Sequence, residues 1–333
     1  MSHDKRIAVT LPAGPKLEHT AGLIEWAESV GITDGWFSDA GAPDSLTSIA
    51  ALAHRIKSLR IGVAVTPVYT RTPAVLAATA EVISQVLPGR FVLGLGSSSQ
   101  TIMGQWHGIP LDKPLTRVRE TAIMVRAMLT GAKTDFDLET LYSKGYRQAP
   151  CDNPPPIYLA ALRSKMIEMA AEVGDGVIFN LWPKGALPRM MEHVKLGAER
   201  GGKSLEDVEI VNRAMVLVTD DKVMGRNIFR AAFGPYYATP VYNAFLAWAG
   251  YEDAAAQIRE GWAAKDREKT AAAMSDEMVD EIAIIGTADE VRERIRSDAA
   301  GGVHTSIIAP LAGDPESAMR TFEAFTPENF RFD

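Results

Sequence analysis

Cysteine is nearly missing from this chain. One residue, Cys151, stands among 333, so no intrachain disulfide is expected and cysteine-built metal or redox motifs are excluded. Cys151 sits beside Asp152 and a run of prolines and reads as a loop thiol at the surface. Basic residues are fewer than acidic ones, 35 against 42, and the net charge of -7 repels a nucleic acid backbone. No apolar run approaches the ~18 residues that suggest a membrane span, and the first six residues are polar, so the chain reads as soluble and cytoplasmic. The histidines, among them His54, His107, His193 and His304, are widely separated and form no HExxH pattern, so no metal site is expected. There is no GxSxG elbow, Cys/His motif or Walker loop. Hydrolases and phosphotransferases therefore lack their nucleophile or phosphate cradle here.

What the sequence does have is apolar residue in quantity, 47% against 23% charged, enough to bury a large core in one α/β domain. Short β-rich runs alternate with stretches of helical period, the pattern of parallel βα units. Strands are expected at residues 7–11, 35–38, 61–66, 91–96, 157–161, 177–180, 208–218 and 305–309. Most are continuous apolar runs, as a parallel sheet covered on both faces requires. Eight of them predict closure into a (β/α)₈ TIM barrel over residues 1–333, with a helical insertion at about 221–302. The insertion carries Tyr236, Tyr237, Tyr242, Phe245, Trp248 and Tyr251, which can line a substrate wall or simply pack its helices. Leu17, Ala21, Ile24 and Ala27 recur at helical spacing, and Thr287 followed by Glu290 is a capping-box start.

Barrel sites lie at the rim formed by the strand C-termini. The stretch 60–73, RIGVAVTPVYTRTP, brings Thr66, Tyr69 and Arg71 to that rim. Residues 87–99, LPGRFVLGLGSSS, end a strand in Gly94 and Gly96 followed by Ser97, Ser98 and Ser99. Glycines there let a flat ligand approach the backbone closely. The third glycine and the ribose-binding acid of a dinucleotide fingerprint are missing, which disfavours a nicotinamide Rossmann domain. After the fifth strand, Arg163, Ser164 and Lys165 open a helix, where free amides, two cations and a hydroxyl suit a phosphate. A solvated basic helix start is the plainer alternative. His107 follows Trp106 in a rim loop, where a group titrating near neutrality suits acid/base work.

The segments GVAVTPVYTR, GRFVLGLG, KPLTRVRE (113–120) and PIYLAALRSKMIEMAAEVGDGVIFN, in this order and spacing, resemble the luciferase-like monooxygenase superfamily. The third and fourth most resemble its branch using the deazaflavin coenzyme F420, that of the methylenetetrahydromethanopterin reductase-like enzymes. The likeness covers nearly the whole chain. It implies a non-proline cis peptide between Ala64 and Val65 backing the cofactor ring, with Thr66, Gly96, Ser97 and Ser98 beside it. It implies Asp39 near that ring, and a phosphate site at Ala161, Leu162, Arg163, Ser164 and Lys165. Asn180 and Trp182 would join the cofactor site, and Lys184 and Tyr69 the substrate site. Many relatives have histidine after the aspartate, where this chain has Ala40, and a glutamate of the sugar-phosphate dehydrogenases is matched by Ser99. That substitution argues against glucose-6-phosphate oxidation. Asp39, Ser97, Ser99 and His107 are the groups left to handle protons.

The function so implied is hydride transfer between F420 and a small organic substrate. An FMN-dependent two-component monooxygenase, served by a flavin or F420 reductase partner, is the alternative on the same fold. A non-catalytic flavin-binding or partner subunit is the alternative of another class. By analogy a homodimer is expected.

Overall fold

A computed structural model describes residues 3–39 and 41–333. Eight parallel strands close into a ring. In chain order they are Arg6–Leu11, Asp34–Phe37, Arg60–Val63, Phe91–Gly96, Ile157–Ala160, Gly176–Asn180, Glu209–Val218 and Thr305–Pro310. Each pairs with its sequence neighbours, and the eighth returns to the first with Arg6 opposite Thr305. The seventh bonds both the sixth, Glu209 opposite Gly176, and the eighth, Val211 opposite Thr305. In such a ring the third and seventh strands face each other across the barrel.

The third strand departs from the expected single run of 61–66. It stops at Val63 and a two-residue piece, Thr66–Pro67, resumes the pairing with the fourth strand. Between them the Ala64–Val65 peptide bond is cis. The connection between the fourth and fifth strands holds an antiparallel hairpin, Asp135–Asp137 with Tyr142–Lys144. Ile284–Gly286 adds a short parallel strand to the far part of the seventh. Three-residue strands are too short to show a period in sequence.

Helices cover the outside of the ring. Pro73–Val86 starts with proline in its first turn and Thr72 capping the Val75 amide. Ala288–Ala300 starts at Thr287, and the reciprocal Thr287–Glu290 capping box is formed. The helices Lys222–Tyr237, Pro240–Trp248, Glu252–Ala263, Arg267–Ala272 and Asp276–Ile282 stand between the seventh strand and Ile284–Gly286, around a second apolar cluster containing Phe229, Tyr237, Leu246 and Met274. The Tyr237 hydroxyl ties them to the loop after the sixth strand by donating to the Leu181 carbonyl at 2.9 Å. Among the described residues no helix is long and apolar enough to cross a membrane.

Inside the ring, alternate residues of each strand point inward. At the lower, N-terminal end these are polar: Arg60 reaches Asp34 at 2.5 Å and grips Glu209 through two 2.8 Å hydrogen bonds. Above them lies a dry layer of Ala8, Trp36, Val92, Tyr158, Ile178, Val211 and Ile307, none more than 3% exposed.

Candidate functional site

One step higher, the pleat turns Thr10, Ser38, Ala64, Gly94, Ala160, Asn180 and Arg213 toward the axis. All but Gly94 are partly exposed, although they stand directly on a layer that is fully buried. Side chains on the first five strands are too small to fill this level, and the barrel is therefore open at its C-terminal mouth.

In the wall formed by the third and fourth strands two glycines, Gly94 and Gly96, face that mouth. A Cβ added to Gly94 would overlap the Val63 carbonyl, and one added to Gly96 would stand 2.6 Å from Val65 Cγ2 and 3.3 Å from the Ala160 methyl. Glycine is thus demanded twice by close approach. Ala64 and Val65 rest on the dry interior layer and keep part of their surface open to the mouth. Thr66 is fully buried, with its hydroxyl unpartnered among the described residues.

Beyond Gly96 the chain turns through Ser98 in a left-handed conformation, φ 62°. The Ser97 hydroxyl donates to the Ser98 carbonyl at 3.3 Å. The Ser99 hydroxyl accepts from the Ile102 amide at 3.2 Å at the start of the π-helical turn Thr101–Trp106. That turn carries Trp106 and His107, both exposed. Trp106 lies over Gly41, beside Asp39.

Asp39 is 7% exposed and bonded to Arg71 at 3.2 Å. Arg71 also binds Asp44, which caps the helix Ser45–Leu52 by accepting from the Thr47 amide. Asp44, and not Asp39, is thus the cap of the helix that follows the second strand. Ala40, where relatives have histidine, lies outside the described residues. The Tyr69 hydroxyl donates to the Asp112 carbonyl, and Arg117 lies 5.5 Å over its ring.

On the next sector Ala161 is buried and its amide bonds to Ile178, while Leu162 is half-buried and Arg163 exposed. Arg163 precedes the helix Ser164–Val173 without a side-chain cap, so the first amides stay available to an anion. Trp248 of the insertion donates to the Ser164 hydroxyl at 3.1 Å. Lys165 turns outward, into a groove with Arg119, Glu168, Glu172 and Arg200.

Asn180 closes the mouth on the sixth strand. Its Nδ2 donates to the Tyr242 hydroxyl at 3.1 Å, and its Oδ1 is buried without a donor among the described residues. Trp182 and Lys184 are not brought to the mouth. Trp182 is 3% exposed and its indole N–H donates to Asn212, which alternates with the inward Val211 and Arg213 and so faces the helix layer. Lys184 is exposed beside Asp298 and Glu281, also on the outer side.

Arg213 was not legible as a site residue from residue type alone. The signal was present: a charged residue within an apolar run, in phase with an inward valine. Burial lowers its pKa, and the groups that offset this are Tyr236 and Tyr242.

The family model described as luciferase-like monooxygenase matches residues 2–305. A 5,10-methylenetetrahydromethanopterin reductase of Archaeoglobus fulgidus is 29% identical over 304 residues, covering 89% of this chain and 91% of that protein. Among solved structures, the coenzyme F420-dependent tetrahydromethanopterin reductase of Methanopyrus kandleri superposes with a TM-score of 0.83 at 19% identity, covering 98% of this chain and 100% of that one. The oxygenating constituent of 3,6-diketocamphane monooxygenase from Pseudomonas putida, in complex with FMN, gives 0.67 at 20% identity, covering 98% of each.

Proposed function

This chain belongs to the luciferase-like monooxygenase family, and we propose that it is an oxidoreductase using the deazaflavin coenzyme F420 to exchange a hydride with a small organic substrate. The observation that carries this reading is the hollow upper layer of the barrel beside the third and fourth strands. The wall at Gly94 and Gly96, with Ala64 and Val65 next to it, carries no side chain larger than valine, as a tricyclic ring lying flat against it would require. An uncapped helix start at Ser164, with Arg163 before it, stands at the same rim and suits the cofactor phosphate. When bound there, F420 supplies the hydride chemistry.

The chain supplies position and dryness. Ala64, Val65 and Gly96 back the ring, and the buried layer of Trp36, Tyr158 and Ile307 beneath them seals the site from below. Asp39 reaches the rim held by Arg71, which fixes the loop after the second strand. Tyr69 fastens the loop at Asp112, and Ser99 holds the turn bearing Trp106 and His107 at the edge of the mouth. His107, on that exposed turn, is the group placed to exchange a proton with solvent. The helices from Lys222 to Ile282 shield the mouth beyond the seventh strand.

The second reading, reduced FMN with oxygen, has the FMN complex of the camphane monooxygenase in its favour. Titration of the protein with each cofactor separates the two. Tight F420 binding with negligible FMN affinity is expected; the reverse result refutes the proposal.

A further inference from the structure

Arg213 is held where a cation is costly. One guanidinium nitrogen, Nη1, reaches only the Met215 thioether, at 3.7 Å, and the Nε–H is buried with no acceptor among the described residues. A guanidinium carries five N–H donors, and a thioether is a weak acceptor. Among the described residues no carboxylate acts on it; the ionisable groups that do are the phenols Tyr236 and Tyr242, on neighbouring insertion helices. A cation partly withdrawn from water with no carboxylate to answer it opposes folding, so its presence at the mouth points to a ligand that completes it.

Its place in the ring says which ligand. The seventh strand stands opposite the third, so a flat cofactor lying on the third and fourth strands turns its open face toward Arg213. Asn180 Oδ1, also without a donor, borders the same space. Asn180 Nδ2 already donates to the Tyr242 oxygen, which leaves the Tyr242 proton free to be given to a second acceptor.

We propose that Arg213 is the substrate anchor and that the substrate is a small organic acid, held by its single carboxylate. This rests on the F420 reading above for the position of the cofactor. The planar fork of a guanidinium matches a carboxylate with two parallel hydrogen bonds. The Tyr242 hydroxyl is a further donor to the same group, kept protonated by burial. A lone cation, with no second one acting on it among the described residues, balances a monoanion better than a phosphate dianion.

The experiment is calorimetric titration of the full chain, with and without F420, using benzoate and butanoate against benzamide and butanamide. Each amide matches its acid in shape and lacks the charge. Wild-type protein is expected to prefer the acids by tenfold or more, Arg213→Met to lose that preference, and Arg213→Lys to keep part of it. F420 affinity, followed by its fluorescence, stays within about threefold in both variants. Arg213→Met is expected to melt no lower than wild type, because it removes an uncompensated charge. The proposal is overturned by equal or absent binding of the acids, by a preference that survives Arg213→Met, or by a variant that loses F420 in step with the acids. If wild type fails to bind F420 yet prefers the acids through Arg213, the cofactor reading fails and the anchor stands.

Discussion

Gly94 and Gly96 lie two residues apart on one strand and face the same way, yet a methyl group at each meets different neighbours. At Gly94 it overlaps the Val63 carbonyl oxygen, part of a strand that cannot retreat without breaking its pairing. Gly94→Ala is expected to destabilise the fold by about 3 kcal/mol or more, read as a lowered urea midpoint. At Gly96 the added methyl meets the Val65 side chain at 2.6 Å, which can rotate. Gly96→Ala is expected to cost only about 1 kcal/mol of stability but to place its methyl where the ring would lie. F420 affinity should then fall roughly tenfold, equivalent to about 1.4 kcal/mol. A fluorescence titration showing unchanged affinity for Gly96→Ala would remove the ring from this wall. The two glycines were legible in sequence as a close-approach site; which of them serves the fold and which the ligand depends on the neighbouring strand.

At the level of elements, those buried on both faces or carrying a paired cap were readable. The eight barrel strands announce themselves as apolar runs because each is covered twice, and Thr287 with Glu290 marks a helix start because the two side chains answer each other's backbone. Thr287→Ala is expected to cost about 1 kcal/mol in thermal or urea unfolding. Tyr237→Phe, which removes the link between the insertion and the Leu181 carbonyl, should cost about 1 kcal/mol as well. Elements whose position depends on partners were not readable. The hairpin around residue 140 and the strand Ile284–Gly286 are too short to carry a period. The interruption of the third strand entered only through resemblance. Trp182 and Lys184 follow a rim strand, yet the chain turns them behind the barrel wall, where Asn212 and Asp298 meet them. Arg213 was lost in the opposite way: its strand reads as apolar overall, and its importance appears only once the inward phase is fixed by Val211.

Across the whole molecule the barrel separates stability from chemistry along its axis. At the mouth Arg213 has no carboxylate partner among the described residues, whereas the lower end pairs Arg60 with both Asp34 and Glu209. There burial pushes the Glu209 carboxyl up, but hydrogen bonds and charge from Arg60, with hydrogen bonds from Thr305 and Tyr158, bring it down to about 2. Beside it burial, helped by Lys5 and His3, lowers His304 to about 4, and the ring nitrogen accepts from the Ile210 amide. Both folded-state values lie below those of an unfolded chain, roughly 6.5 for histidine and 4.3 for glutamate. The unfolded chain therefore takes up protons first as pH falls, and stability drops with it. The contribution of His304 is complete above about pH 6.5 and is lost toward pH 4; that of Glu209 is complete above about pH 4.5 and is lost toward pH 2. Glu209→Gln leaves Arg60 with one carboxylate, Asp34, and the Thr305 hydroxyl, and is expected to destabilise the protein by about 3 kcal/mol or more at neutral pH. It should also flatten the acid limb below pH 4.5, while the histidine limb persists and extends to lower pH, because the Glu209 charge holds the His304 pKa up. Because the dry layer stands between this network and the mouth, F420 affinity of the folded Glu209→Gln protein should match wild type. Urea midpoints measured from pH 7.5 to 3, with cofactor titration at pH 7.5, read both effects. A variant of full stability that binds F420 poorly would mean that the lower network acts on the site, and the division along the axis would be wrong.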